Sequence, residues 1–473
     1  MKRRIIFINL FIVVVMAAKS QDTKLSLQQA IETALKNNIL TKQSELQMRT
    51  AEINYRQAKN NRLPSVEGGY NYGLNSGRSI DPFTNDYINQ QLTSSNVNAQ
   101  AGLPVFGGFQ LKNSIRQNEA AFATATMEWQ QRKDELTLQV ILAYLQILNN
   151  EDALALAKQQ AAVTKQQVAR LEIISKEGAT QPANVSDLKG QYAGDELAII
   201  NTENNLASSI FSLSQLMNVV YEANLKMDRD GFNDEVKSYV AMPNEIYAAS
   251  LQKLASIKAA EYKVKSSEMA VKVAAGGFYP VVALYGVLNT NYSSAAMLNK
   301  NIGFTEVPGT DYVAVNGSNL PVITRQNNFS SQKIKYGNQL NNNLSGAYGL
   351  SVRIPLLNTF KTRSNVSIAR NEEKNSKLIA DNIKYQLRQA VEQAYINITA
   401  TYKRYKVLQQ QADAYGESFR ISGIRFENGV INSPEYLIAK NNLDRTRATI
   451  ITTRYEYLLR MKVLDFYMGK LSY

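Results

Sequence analysis

The chain has 473 residues, with 53 Lys plus Arg against 40 Asp plus Glu and a formal charge of +13. It contains no cysteine and no histidine. That excludes disulfides, thiolate and imidazole metal sites, iron–sulfur clusters and His-dependent catalytic triads.

Lys2-Arg3-Arg4 precedes an apolar run from Ile5 to Ala18, broken only by Asn9, and Ala18-Lys19-Ser20 then offers small residues around a cut. This reads as a secretory signal peptide over 1–20, because the run is shorter than the ~20 residues a membrane-spanning helix needs. No later segment is apolar enough to be such a helix. An exported chain can still meet a membrane through alternating strands.

Helical patterning is expected at 26–62, 183–217 and 244–275, with two very long proline-free helices at 108–175 and 359–427. At ~1.5 Å per residue each long helix spans on the order of 100 Å. Leu136, Val140, Ala143 and Ile147 mark one apolar stripe, as in a bundle. Four segments alternate with period two instead, at about 65–76, 93–105, 281–292 and 343–355. In the first, Val66, Tyr70, Tyr72 and Leu74 oppose Glu67, Asn71 and Asn75. Such alternation suits strands with one face in lipid and the other in water, and equally an ordinary antiparallel sheet. The linkers 76–92 and 295–340 are rich in Asn, Ser, Thr and Gly and are expected to be long surface loops. Residues 218–243 mix turn signals with short apolar runs, as a small packed segment would.

The two halves of the chain match each other. At a fixed offset of 251 positions Pro104 falls on Pro355, Leu136 on Leu387, Val140 on Val391, Tyr144 on Tyr395 and Gly178 on Gly429. Upstream of the strands a shorter offset carries Glu52 onto Glu268, Ala58 onto Ala274 and Pro64 onto Pro280. The expected organisation is therefore a signal peptide at 1–20, a first repeat at 21–217, a connecting segment at 218–243 and a second repeat at 244–473. Pro64, Pro104, Pro280 and Pro355 are expected at helix–strand junctions, since proline resists helix before it and cannot donate to a sheet ladder. Four strands cannot close a membrane barrel, and an open edge in lipid leaves backbone groups unsatisfied. Several copies must then pool their strands.

This arrangement resembles the outer-membrane efflux (TolC-like) family. The resemblance rests on Leu25-Ser26-Leu27-Gln28-Gln29-Ala30, the passages ending Arg62-Leu63-Pro64 and Phe278-Tyr279-Pro280, and the junctions Leu103-Pro104-Val105-Phe106-Gly107-Gly108 and Ile354-Pro355-Leu356-Leu357. It rests also on the turn Arg425-Phe426-Glu427-Asn428-Gly429. It implies a mainly α protomer with duplicated helix/strand halves. It further implies a homotrimer sharing a twelve-stranded outer-membrane β-barrel, continuous with a long periplasmic α-helical barrel. The function implied is a passive exit duct, working with a periplasmic adaptor protein and an inner-membrane RND or ABC pump, in contact with outer-membrane lipid. No cofactor and no nucleic-acid partner are expected.

In the family, acidic residues beyond each tip glycine line the constriction, and here those positions hold Asn184 and Glu435. Three Glu435 side chains around an axis would make a ring of like charge that favours cations. Glu435 also reads simply as a first-turn acid favoured by the helix dipole. The resemblance places a closing tyrosine and arginine where this chain has Phe426 and Ile431, so closure is expected to draw on Arg425, Asp187, Glu435 or apolar contacts. Gly178 and Gly429, with Val430 beside the latter, are expected as tip turns and adaptor-docking positions. The competing reading is a secreted or surface coiled-coil protein without a transport role. An enzyme is disfavoured, because no constellation of carboxylates or serine–lysine pairs converges.

Overall fold

The structure, a computed structural model, describes residues 24–80, 85–89, 91–178, 180–230, 232 and 236–470. The signal-peptide segment 1–20 lies outside the described residues. The chain divides into two compact units: one of residues up to 51, 121–264 and from 376 onward, the other of 52–120 and 265–375. Each draws on both sequence halves.

In the second unit, β1 (Ser65–Asn75), β4 (Leu92–Gly107), β5 (Val281–Ser293) and β8 (Ser345–Arg353) form one antiparallel sheet in the order β1-β4-β5-β8. The bounds of these strands lie within two residues of the four segments read as strands in the sequence. Pro64 and Pro280 immediately precede β1 and β5, and Pro355 follows β8. Pro104 departs from expectation: it lies inside β4, at a register shift between Pro104 and Phe106. It is tolerated there because β1 pairs only as far as Gly102, so a proline nitrogen can face the open edge.

The expected loop at 295–340 is largely strand, and that at 76–92 contains two short strands. The short β2 (Arg78–Ile80) and β3 (Tyr87–Asn89) pair with each other, and β6 (Met297–Val315) pairs with β7 (Ser318–Lys333) as a separate two-stranded ribbon. A ribbon exposed on both faces needs no apolar alternation, so composition alone disguised it. Its root is pinned by α7 (Tyr336–Asn342). Buried Gln339 donates its Nε2 to the carbonyls of Ser293 (3.0 Å) and Ile334 (2.9 Å), and its Oε1 accepts from Ser293 N (3.0 Å).

The remaining elements are α1 (Leu27–Asn37), α2 (Ile39–Asn60), α3 (Gln110–Lys176), α4 (Pro182–Met217), α5 (Pro243–Lys253), α6 (Ala255–Ala275), α8 (Lys361–Glu427) and α9 (Ser433–Tyr467). Two expected helices are each split. Asn38 interrupts 26–62, because its Oδ1 accepts from Leu40 N (3.0 Å) and Thr41 N (3.3 Å), starting a new helix instead of continuing the old one. Leu254 interrupts 244–275 in an extended conformation that buries its side chain.

Both strand-to-helix junctions contain two successive left-handed residues, Gly108 (φ 59) and Phe109 (φ 63) before α3, and Thr359 (φ 52) and Phe360 (φ 58) before α8. These positions are related by the same offset as Pro104 and Pro355. At Gly108 the space is also closed, since a Cβ there would lie 2.2 Å from the Gly276 carbonyl oxygen.

The first unit holds three apolar clusters. Tyr144, Ile31, Leu145, Ile147, Leu148 and Leu213 belong to the first, whose edge is sealed by the connecting segment. Leu25 N donates to Lys226 O (2.8 Å) and Asp228 N to Leu25 O (3.0 Å). The buried Tyr144 hydroxyl donates within reach of both the Leu25 (2.8 Å) and Asp228 (2.6 Å) carbonyls, and burial raises its pKa well above the usual phenol value. Arg229 reaches Glu151 (2.8 Å) and Asp152 (2.5 Å), and Tyr455 donates to the latter (2.8 Å). The second cluster centres on Ile246, Val391, Ile398, Tyr457 and Leu464.

Candidate functional site

The third cluster lies where α3 turns into α4 and α8 turns into α9. The second turn is a full left-handed cap. Gly429 (φ 69) donates to Phe426 O (3.1 Å) and Val430 to Arg425 O (2.8 Å), which satisfies two carbonyls at the end of α8. Gly178 (φ 73) turns the chain after α3, donating to Ser175 O (3.1 Å). Val430 is exposed on the outside of its turn.

Asn432 caps α9, its Oδ1 accepting from Glu435 N (3.2 Å), with Pro434 in the first turn. Glu435 therefore occupies the first-turn position that the helix dipole favours, and its carboxylate is exposed. Asn184 holds the corresponding place on α4 but does not meet Glu435. Its Oδ1 accepts instead from the Ser433 hydroxyl (2.9 Å) and lies 3.4 Å from Ser433 N. Asp187, one turn along α4, accepts from the same hydroxyl (2.7 Å). Ser433 is fully buried. It ties the first turns of α4 and α9 together. One clue was available, because the offset that aligns Gly178 with Gly429 also aligns Pro182 with Ser433, a polar residue in place of an apolar one.

Phe426 and Ile431, which stand where the resemblance places a tyrosine and an arginine, turn inward. Both are buried in the tip's own cluster with Leu171, Leu188 and Tyr436. The Phe426 and Tyr436 rings stack with centroids 4.7 Å apart and planes at 16°, and Phe419 approaches Tyr436 at 5.5 Å. Burial, with Asp444 and Glu427 adding to it, pushes the Tyr436 hydroxyl up to about 12. Phe426 thus packs against residues of its own chain. Arg425 is exposed in the last turn of α8 and makes no ion pair among the described residues. Exposed pairs flank the tip: Arg170 with Glu427 (2.7 Å) and Lys189 with Glu172 (2.7 Å), the latter holding Glu172 below the usual carboxylate range.

About two helical turns above Ser433 sits a buried charge cluster that sequence reading did not identify. Lys440 on α9, 2 % exposed, lies 3.1 Å from Asp195 on α4 and 2.6 Å from Asp444 on its own helix. Asp195 also accepts from Thr164 of α3 and from Gln191 Nε2 (2.7 Å). Each charge is thereby paired or hydrogen-bonded, as burial demands.

Among the described residues no group of three or more carboxylates could hold a metal ion, and no helix is long and apolar enough to cross a membrane.

The profile of the family described as "Outer membrane efflux protein" matches residues 30–219 and 246–470. The curated outer membrane efflux protein BepC of Brucella suis is 24 % identical over 297 residues, covering 62 % of this chain and 60 % of BepC. Among solved structures, CusC superposes with a TM-score of 0.75 at 14 % identity, covering 94 % of this chain and 92 % of that one. The Campylobacter jejuni CmeC outer membrane channel does so at 0.74 and 14 %, covering 94 % and 85 %. The chain therefore belongs to the outer membrane efflux protein family, with its TolC-like, mainly helical fold and its place in the outer membrane.

Proposed function

We propose that three copies of this chain assemble into a passive exit duct. Each contributes β1, β4, β5 and β8 to a twelve-stranded barrel in the outer membrane, and the long helices continue as a tunnel into the periplasm. The observation that supports this best is the sheet itself: four antiparallel strands with β1 and β8 left as unpaired edges. Along both edges Tyr70, Tyr72, Leu74, Tyr348, Leu350 and Val352 are exposed. A sheet so apolar with two open edges has no stable place in lipid unless other copies close it.

In this reading an inner-membrane RND or ABC pump, joined through a periplasmic adaptor, supplies the energy of a tripartite efflux or type I secretion system. The α3–α4 and α8–α9 turns, with Gly178, Gly429 and Val430 outermost, meet the adaptor. Glu435 and Arg425, exposed at the same end, face the constriction. Asn184 and Asp187, held by Ser433, fix the second hairpin against the first, and the Phe426–Ile431–Tyr436 cluster stiffens the tip from within.

The test is the native mass of detergent-extracted protein from separated outer membranes, together with compound resistance of a deletion strain carrying the gene. Three chains per particle and restored resistance are expected. A monomeric particle, or one absent from the outer membrane, would sink the duct.

A further inference from the structure

Two strand registers in the chain are copies of one another. In the β1–β4 pair Ser65 lies opposite Gly102 and Gly73 opposite Ser94. Carried by the two offsets that align the sequence halves, these become Val281 with Arg353 and Asn289 with Ser345, which are the observed partners in the β5–β8 pair. The correspondence therefore holds residue by residue in the backbone. The joint between the halves is β4–β5, where Gln100 meets Val287, Ala101 meets Gly286 and Ala99 meets Leu288.

We infer that β8 of one copy joins β1 of the next in the β4–β5 register carried over by the same offsets, a statement that rests on the multi-copy barrel proposed above. Leu350 then lies opposite Tyr72 of the next copy, Val352 opposite Tyr70, Tyr348 opposite Leu74, and Arg353 opposite Gly69. The occupant of each open edge is thus a second copy of this chain, at a defined setting.

Three independent features agree with that setting. The transferred register brings apolar residues of β8 beside apolar residues of β1 on one face, and Ser351 beside Asn71 on the other. A slip of one residue would break both faces. It also places Arg353, which is exposed and makes no ion pair among the described residues, diagonally beside Glu67 of the next copy, within reach of long side chains. Glu67 already accepts from Gln100 Nε2 (3.0 Å) on its polar face. At the helix-proximal end of the strands, Phe106 pairs with Val282 in the internal joint, and the edge of Phe109 meets Tyr279 at 6.5 Å. The carried-over positions are Leu357 with Val66, and Phe360 with Leu63. In the single chain these four stand 83 %, 73 %, 64 % and 63 % exposed.

The copy is not complete where the helices begin. Gly108 lies so close to Gly276 that no Cβ fits between them, but the corresponding Thr359 carries one, opposite Asn60 of the next copy. The crossing between copies must therefore stand wider at the helix junction than the crossing within a copy, while the strand ladder keeps the same register.

The absence of native cysteine makes the register directly readable. Residues directly opposite in an antiparallel pair have Cα atoms about 4.5–5.5 Å apart, inside the disulfide range, whereas neighbours two residues along exceed it. The full-length chain would carry Tyr72→Cys with Leu350→Cys, or Tyr70→Cys with Val352→Cys. Off-register pairs would join Leu350→Cys to Tyr70→Cys or to Leu74→Cys, and each single variant would serve as a further control. Membranes are oxidised, native mass is measured, and the products are separated under denaturing, non-reducing conditions. Covalent dimers and trimers are expected for the two in-register pairs, at least tenfold above the off-register ones. Predominant cross-linking of an off-register pair overturns the register and leaves the trimer standing. No cross-link in a particle of three chains shows that β1 and β8 do not form the joint. A monomeric particle removes the multi-copy barrel and this register with it.

Discussion

Ser433 holds together what the sequence presents as two separate tips. Its hydroxyl is buried between Asn184 and Asp187, so Ser433→Ala removes the donor those two acceptors share, at a cost of about 1–3 kcal/mol. The expected outcome is a looser periplasmic end, read as raised single-channel conductance in planar bilayers with the particle mass unchanged. Unaltered conductance would show that the tie does not restrain the tip. Lys440→Met is expected to cost more, about 3–5 kcal/mol, because Asp195 and Asp444 lose a buried counter-charge. A triple variant adding Asp195→Leu and Asp444→Leu should recover much of that loss in denaturant-unfolding midpoints. Little of this was legible from sequence. Glu435 was visible as a first-turn acid, but a lysine at position 440 looks like any solvated helix residue until α4 and α3 are packed against it. Phe426 and Ile431 could be recognised as departures from a pattern, yet their burial follows from the stacking partner Tyr436, which no local rule identifies.

The junctions before α3 and α8 show where local chemistry works against the backbone. Gly108 accepts its positive φ without strain, whereas Thr359, β-branched, holds φ 52 at a cost of about 1–3 kcal/mol. Thr359→Gly is therefore expected to stabilise the protein by about 1 kcal/mol, seen as a higher temperature for losing the native particle on a gel. Gly108→Ala should do the opposite, because its methyl would lie 2.2 Å from the Gly276 carbonyl oxygen. Equal temperatures for both variants would contradict this account. Strands were legible wherever one face differs from the other, as in β1, β4 and β8. The β6–β7 ribbon was not, since both its faces are exposed and Asn, Ser and Thr fill much of its ladder. The break at Asn38 was likewise hidden, because an asparagine inside a helical pattern reveals itself as a cap only through what its side chain accepts.

At the scale of the molecule, the sheet and the ribbon can be separated. The β6–β7 ladder pairs only with itself and is fixed at its root by Gln339. Replacing residues 299–331 with a two-residue Asn-Gly turn is expected to leave outer-membrane location, particle mass and compound resistance unchanged. Loss of the assembled particle would show that the ribbon takes part in assembly. The overall plan was readable because duplication repeats each weak signal, so that Pro64 with Pro280 and Gly178 with Gly429 reinforce one another. The number of copies is not written in any single chain.

The buried Lys440–Asp195 pair also bears on how the lower ends of α4 and α9 can move. A charge sealed from water tolerates tilting far better than sliding, since one helical step of about 5.4 Å would carry Lys440 and Asp444 together away from Asp195 and leave that buried carboxylate without its cation. Lys440 would thus serve as a fulcrum, with a lever of about 10 Å of helix between it and Ser433. A displacement applied at the turns would then be taken up as a swing of those last two turns, with the helices above the pivot keeping their setting.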